Sequence, residues 1–151
     1  MNLELRIVDD TNKDAVELLE VADCQKQYVA SNKKSLETAM LEEYREIARP
    51  FAIYADGKLA GFTMFAFELD SNDPNDRYWL WRFMIDKDSQ GKGYGSLALE
   101  KIIDYFRSNG ADHILLSTKE TNTVALSLYK KYCFVETGEM NGEEIVLRLN
   151  L

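Results

Sequence analysis

Phe83-Met-Ile-Asp-Lys-Asp-Ser-Gln-Gly-Lys-Gly-Tyr-Gly-Ser96 is the stretch on which the reading of this chain turns. Three glycines alternate at 91, 93 and 95. They lie between an aromatic-rich segment, Arg77 to Ile85, that reads as a strand and a periodic segment, Tyr94 to Asn109, that reads as a helix. The helix shows Leu97, Ala98, Ile102, Ile103 and Phe106 on one face and is closed by Gly110. Glycine lets the chain turn sharply and lets a ligand approach with no Cβ in the way. The first amides of a helix are unpaired and carry the positive end of its dipole. Together these features make a pocket for a diphosphate, and Lys92 adds a charge beside it.

Several ligands use such a loop. A dinucleotide fingerprint needs glycine or alanine at 96, where Ser96 stands, and an acid at the end of the following strand, where Asp112 stands instead at its start. No GK[ST] triplet is present for a nucleotide P-loop. A plain structural turn needs one glycine, not three. The remaining reading is a pyrophosphate loop for coenzyme A.

Outward from the loop, Leu3 to Val8 alternates as a half-buried strand, and Lys13 to Ala30 and Ser35 to Ile47 carry helical spacing, the second with Ser35 as its cap. Pro50 ends that pattern. Phe51 to Ala55 and Lys58 to Leu69 read as strands joined by an Asp56-Gly57 hairpin turn. After the polar loop 71–76 and the glycine-loop unit come a short strand, His113 to Ser117, and a helix, Asn122 to Tyr132. A last hairpin joins Phe134–Thr137 to Glu144–Leu149 around Asn141-Gly142. The order β-α-α-β-β-β-α-β-α-β-β predicts one α/β domain over 1–151 with a mixed central sheet flanked by helices.

Composition sets the outer limits. The 151 residues, 46% of them apolar, suffice for one packed core without disulfide staples. Cys24 and Cys133 stand far apart, outside any CxxC or Cys/His spacing, so no metal site is expected. A net charge of −8 argues against nucleic acid as a partner and suits a cationic one. No run reaches the ~18 apolar residues of a membrane span. The first residues lack the basic-then-apolar layout of a secretion signal, so a cytoplasmic location is expected.

Gln90-Gly-Lys-Gly-Tyr-Gly95 resembles the (Gln/Arg)-x-x-Gly-x-(Gly/Ala) signature of the GNAT N-acetyltransferase superfamily. Downstream, Asn122-Thr-Val-Ala-Leu-Ser-Leu-Tyr-Lys-Lys-Tyr-Cys-Phe134 is similar to that superfamily's Asn-x-x-Ala-x-x-x-Tyr-x-x-x-Gly-Phe segment, with Cys133 where glycine is usual. The two motifs stand in the family's order, and the layout of the whole chain fits its fold. The resemblance implies acetyl-CoA as cofactor, CoA as product, and frequently a homodimer. It implies that the backbone amides of Gly91, Lys92, Gly93, Tyr94, Gly95 and Ser96, with Gln90, hold the pyrophosphate. Phe83, Met84 and Ile85 would line up the pantetheine arm, the Phe83 amide meeting the acetyl carbonyl, and Asn122 would bond the arm. Tyr129 would be the general acid beside the sulfur.

Transfer to an amine requires a neutral nucleophile, a polarised thioester carbonyl and a proton for the departing thiolate. An alkyl ammonium has a pKa near ~10.4, so some group must take its proton. The strand Tyr78-Trp-Leu-Trp-Arg-Phe-Met-Ile85 holds no acid. Glu68, Glu120 or a water chain are the candidates for this role, and His113 is expected to be structural. The segment Tyr78 to Asp86, with Tyr28-Val-Ala-Ser-Asn32 and Ser35-Leu36, looks most like bacterial spermine/spermidine (diamine) acetyltransferases. For such a substrate, Glu42, Glu43, Glu46, Glu68 and Glu120 could face ammonium groups while Trp79 and Trp81 offer aromatic faces. The alternatives are another amine (an antibiotic or a peptide N-terminus), a non-catalytic acetyl-CoA sensor, or a dinucleotide-binding module.

Overall fold

The computed structural model describes residues 2–151. In chain order the elements are β1 (Leu3–Ile7), α1 (Lys13–Leu18), α2 (Asn32–Ala39), β2 (Ala48–Ala55), β3 (Lys58–Phe67) and β4 (Tyr78–Ile85). They continue with α3 (Tyr94–Ser108), β5 (His113–Thr118), α4 (Thr123–Lys131), β6 (Val135–Asn141) and β7 (Glu144–Asn150). The seven strands form one sheet in the order β1-β2-β3-β4-β5-β7-β6. Every pair is antiparallel except β4 and β5, which run parallel on either side of α3. This is the α/β mixed sheet expected from the sequence. Among the described residues no helix is long and apolar enough to cross a membrane.

Alternation along β3 builds both faces of the sheet. Phe62 and Met64 face α1 and α2, packing with Val16, Val21, Leu36 and Met84. Phe65 and Phe67 face α3 and α4, packing with Leu99, Ile102, Phe106 and Tyr129. The stripe Ala98, Leu99, Ile102, Ile103 and Phe106 is the buried face of α3.

Two features of β4 shape the cleft beside it. Its register with β3 slips between the pairs Phe65↔Leu80 and Met64↔Arg82, leaving Trp81 without a partner in a β-bulge. Its pairing with β5 is confined to Trp79↔Leu115, so beyond that point the two parallel strands part. Gly61, opposite Ile85, lets β3 lie close against β4: a Cβ there would come within 2.4 Å of the Met84 carbonyl oxygen.

The N-terminal helices are shorter than their periodicity predicts. The segment Lys13 to Ala30 is α-helical only through Leu18, with one 3₁₀ turn at Asp23–Gln25, because Leu19 turns extended and Glu20 docks on the turn after β4. The Glu20 amide donates to Asp86 Oδ1 (3.0 Å) and its carbonyl accepts from the Lys87 amide (2.8 Å). Tertiary hydrogen bonds thus replace helical ones. The second helix starts earlier than expected and is capped by Ser31, whose Oγ accepts from the Lys34 amide, while Ser35 lies buried inside it. It ends at Ala39. The chain then folds into turns that seat the Tyr44 ring edge-on against Trp81, with 5.1 Å between centroids. Pro50 lies within β2, not ahead of it.

At the end of α4, the Phe134 amide bonds the Tyr129 carbonyl and the Cys133 amide bonds the Lys130 carbonyl, the paired bonds of a Schellman motif. That motif requires a left-handed residue, and Cys133 adopts φ +73°. A non-glycine residue there costs about 1 kcal/mol or more. Cys133→Gly should therefore raise Tm by roughly 2–4 °C, checked by thermal unfolding followed by circular dichroism.

Candidate active site

The parting of β4 from β5 opens the sheet, and two hollows meet there. One, of about 280 Å³, runs from Met84 and Ile85 to the glycine loop, with Val21, Gln90, Gly91, Gly93, Tyr94 and Gly95 in its wall. The other, of about 630 Å³, lies on the far side of Phe83, among Glu68, Asp76, Trp79, Trp81, Arg82, Ser117 and Glu144. Both walls include Tyr28, Val29, Phe83, Asn122, Ala125 and Tyr129, so the hollows join at these six residues.

The backbone of β4 presents polar groups to the gap. The Asp86 amide donates to Ala60 on β3, and the Arg82 carbonyl accepts from Thr63 Oγ1. Alternation then turns the amide and carbonyl of Phe83 and Ile85 away from β3 and into the gap. Consistent with this, the Ile85 carbonyl accepts from Gln90 Nε2 at 2.9 Å.

The first hollow ends on an anion-binding geometry. Gly91 (φ +77°) and Gly93 (φ +82°) are both left-handed, and Gly93 caps the fifteen-residue α3 without any side-chain cap. A Cβ placed on either would meet nothing within 4 Å, so the backbone of the turn lies open. Uncapped helix amides, an open glycine turn and an apolar trench leading to strand amides fit a diphosphate on a pantetheine arm. The residues present therefore suit acetyl-CoA.

The individual site residues fall into three groups. Phe83, Met84, Ile85, Gln90, Gly91, Gly93, Tyr94, Gly95, Asn122 and Tyr129 are brought together around the first hollow. The Gln90 side chain is occupied in bracing the loop: its Nε2 donates to Ile85 O and to Gln25 Oε1 (2.8 Å), and its Oε1 accepts from Gln25 Nε2. Asn122 Nδ2 donates to Thr118 Oγ1. Lys92 is exposed and, like Ser96, is not among the wall residues.

In the second hollow, Glu68, Trp79 and Trp81 do line the wall. Glu42, Glu43, Glu46 and Glu120 do not. The first three sit exposed on the turns after α2, where the expected helix has ended, and Glu120 is exposed on the β5–α4 loop. His113 is fully buried at the start of β5, outside both walls, with Nδ1 2.6 Å from Asp112 Oδ1.

The cleft also holds residues that sequence reasoning passed over. Tyr28 reaches over the junction, its hydroxyl donating to the Thr121 carbonyl at 3.2 Å. Asp76 accepts from the Trp79 indole at 2.9 Å. Glu144, the first residue of β7, accepts from Ser117 Oγ at 2.8 Å, and Asn141 Nδ2 donates to the same hydroxyl. Of these, only the Tyr28 segment left a signal in the sequence, through its place in the resemblance.

Electrostatics differ along the cleft. Burial, and then the charge of Glu144, hold the Tyr129 hydroxyl well above the usual phenol pKa, so it stays protonated at neutral pH. Burial, and then Asp76, raise Glu68 above the usual carboxylate range. Burial lowers the Arg82 guanidinium, with Glu144 opposing that shift.

The profile of the acetyltransferase (GNAT) family matches residues 13–133. The spermine/spermidine N(1)-acetyltransferase of Bacillus subtilis (strain 168) is 35% identical over 153 aligned positions, covering 98% of this chain and 99% of that protein. Among solved structures, an aminoglycoside acetyltransferase in complex with coenzyme A superposes with TM-score 0.77 at 14% identity, covering 99% of this chain and 95% of that one. The spermidine N-acetyltransferase of Vibrio cholerae, solved with CoA and spermine, superposes with TM-score 0.71 at 21% identity, covering 99% and 94%. With both motifs, the parted strands and the glycine-capped helix in place, this chain belongs to the acetyltransferase (GNAT) family and is an acetyl-CoA-dependent N-acetyltransferase.

Proposed function

We propose that the enzyme acetylates a terminal amine of a small polycation of the spermine/spermidine class. The observation that carries this reading is the lining of the larger hollow. Among the described residues, three carboxylates (Glu68, Asp76 and Glu144) and six aromatic rings, Tyr44, Trp79 and Trp81 beyond the shared Tyr28, Phe83 and Tyr129, line it against the single cation Arg82. Carboxylates pair with ammonium groups, and aromatic faces attract them over short distances. The full-length similarity to the Bacillus enzyme supports the same substrate class.

Acetyl-CoA supplies an acetyl group activated as a thioester. The Phe83 amide, turned into the gap, donates to the oxygen on which negative charge develops during attack. Ile85 pairs with the amides of the arm, and the open turn at 91–95 with the N-terminus of α3 holds the diphosphate. Tyr129, protonated at neutral pH, gives its hydroxyl proton to the departing sulfur.

A panel of amines with thiol-release detection tests the substrate. Spermidine or spermine should be used about 10–10²-fold more efficiently, in kcat/KM, than butylamine, as expected for one further charge-assisted hydrogen bond of about 1.5–3 kcal/mol. Turnover of an aminoglycoside or an alanine-initiated peptide, with both polyamines inert, would reject the reading.

A further inference from the structure

We propose that Glu144 is the proton acceptor for the attacking amine, set in place by Ser117 and delivered to the site by β7 instead of by β4. The inference rests on the amine-acetylation reading and names the base that β4 does not provide.

Every residue of β4, from Tyr78 to Ile85, lacks a carboxylate, yet the ammonium group of an aliphatic amine must lose a proton before it can attack. Three acids among the described residues line the larger hollow, and they separate into two ends. Glu68 follows β3, and the charge it feels is that of Asp76, whose carboxylate is already bonded to the Trp79 indole. Those two acids stand beside Trp79, the last point at which β4 still pairs with β5. Glu144 stands at the other end, where the strands have parted. Its charge is felt at Arg82 on β4, the residue preceding the Phe83 amide, and at the Tyr129 hydroxyl on α4. Glu144 lines the same hollow as Arg82, Phe83 and Tyr129.

The carboxylate is also oriented. Ser117 on β5 donates to Glu144 Oε1 at 2.8 Å and in turn accepts from Asn141 Nδ2 at 3.3 Å, so the hairpin and β5 fix one oxygen while Oε2 is left for substrate. The charged or titratable groups that share the hollow with Glu144 are Arg82 from β4, Tyr129 from α4, Glu68, Asp76, Tyr28 and Tyr44; β5 adds the Ser117 and Thr118 hydroxyls.

In the transfer, Glu144 takes one proton from the ammonium nitrogen, which frees its lone pair. The nitrogen forms a bond to the thioester carbon, and the C–S bond breaks with its electron pair on sulfur. Tyr129 gives that sulfur its hydroxyl proton and recovers a proton from the new amide nitrogen. Glu144 then releases its proton to solvent, giving the acetylated amine, the free thiol and one proton.

The test compares wild type, Glu144→Gln and Glu144→Asp, using an aliphatic amine from the panel that wild type acetylates. Glu144→Gln should lower kcat at neutral pH by about 10²-fold or more. Its residual rate should rise about tenfold per pH unit as free amine accumulates below the amine pKa, while wild-type kcat levels off. Calorimetric affinity for acetyl-CoA should be unchanged. Glu144→Asp should keep the wild-type pH profile at a lower kcat, which settles the matter even if the Gln variant folds poorly. Glu144→Gln that raises KM but keeps kcat and the wild-type profile rejects proton transfer in favour of simple ammonium binding. Loss of acetyl-CoA affinity in Glu144→Gln, or an Asp variant that follows the free-amine slope, rejects it equally. No turnover of any amine by wild type rejects the amine-acetylation reading together with this inference, whereas turnover kept by Glu144→Gln rejects the inference alone.

Discussion

Tyr129→Phe should lower kcat for amine acetylation by about 10²–10³-fold and leave the affinity for acetyl-CoA nearly unchanged. The ring itself is structural: it packs on Phe134 with 5.6 Å between centroids and belongs to the core that joins α4 to the sheet. Phenylalanine keeps that packing and removes only the hydroxyl. What is lost is a proton held at the junction of the two hollows, beside the parted strands. Because burial holds the Tyr129 pKa above its ordinary value, the phenol remains a donor through the alkaline range. Wild-type kcat should accordingly show no alkaline fall up to about pH 10, the ordinary phenol pKa. Steady-state rates of the two proteins, paired with calorimetry of acetyl-CoA, check this. A Tyr129→Phe enzyme within about threefold of wild type would leave the sulfur to be protonated by something else, since a general acid contributes about 10²–10⁴-fold.

Gly61→Ala should be the most damaging small substitution in the sheet. The added Cβ would lie 2.4 Å from the Met84 carbonyl oxygen, 3.1 Å from Ile85 Cδ1 and 3.3 Å from Ile53 Cδ1. The two methyl groups can rotate away, but the backbone oxygen cannot, so β3 and β4 must move apart. Overpacking of this kind costs about 1–3 kcal/mol, or a fall in Tm of roughly 2–12 °C for a chain this long. The displaced residues include Ile85, whose backbone faces the smaller hollow and which is tied through Gln90 to the glycine loop. Affinity for acetyl-CoA should therefore fall along with stability. A melting temperature within about 1 °C of wild type would show that the strands tolerate the extra carbon.

The parts of the molecule written locally were legible in its sequence. The strand, glycine turn and helix around 83–108 declare themselves through periodicity and spacing within one stretch, and the Asp56-Gly57 turn likewise. The segment 13–30 misleads because its apolar spacing is helical while its fate is decided by Asp86 and Lys87, some 66 residues away. The acids at 42, 43 and 46 misled for the same reason, since the packing of Tyr44 on Trp81 ends the helix that would have aligned them. Glu120 lies close to Asn122 in sequence yet points to solvent, whereas Glu144 reaches the site because β7 inserts between β5 and β6. No motif marks that insertion. Cys133 illustrates the converse: the departure from the family's glycine is visible in the sequence, but only the backbone shows that it holds a left-handed turn.

The proposed chemistry depends on the open turn at 91–95 holding a diphosphate through backbone amides and so aiming the thioester along β4. Calorimetric titration with CoA, and in parallel with pantetheine, which lacks the diphosphate and the 3′-phosphoadenosine beyond it, sets an upper bound on that contribution. Two charge-assisted bonds at about 1.5–3 kcal/mol each should make CoA bind at least ~10²-fold more tightly. Equal affinities for the two, or no binding of CoA at all, would contradict it.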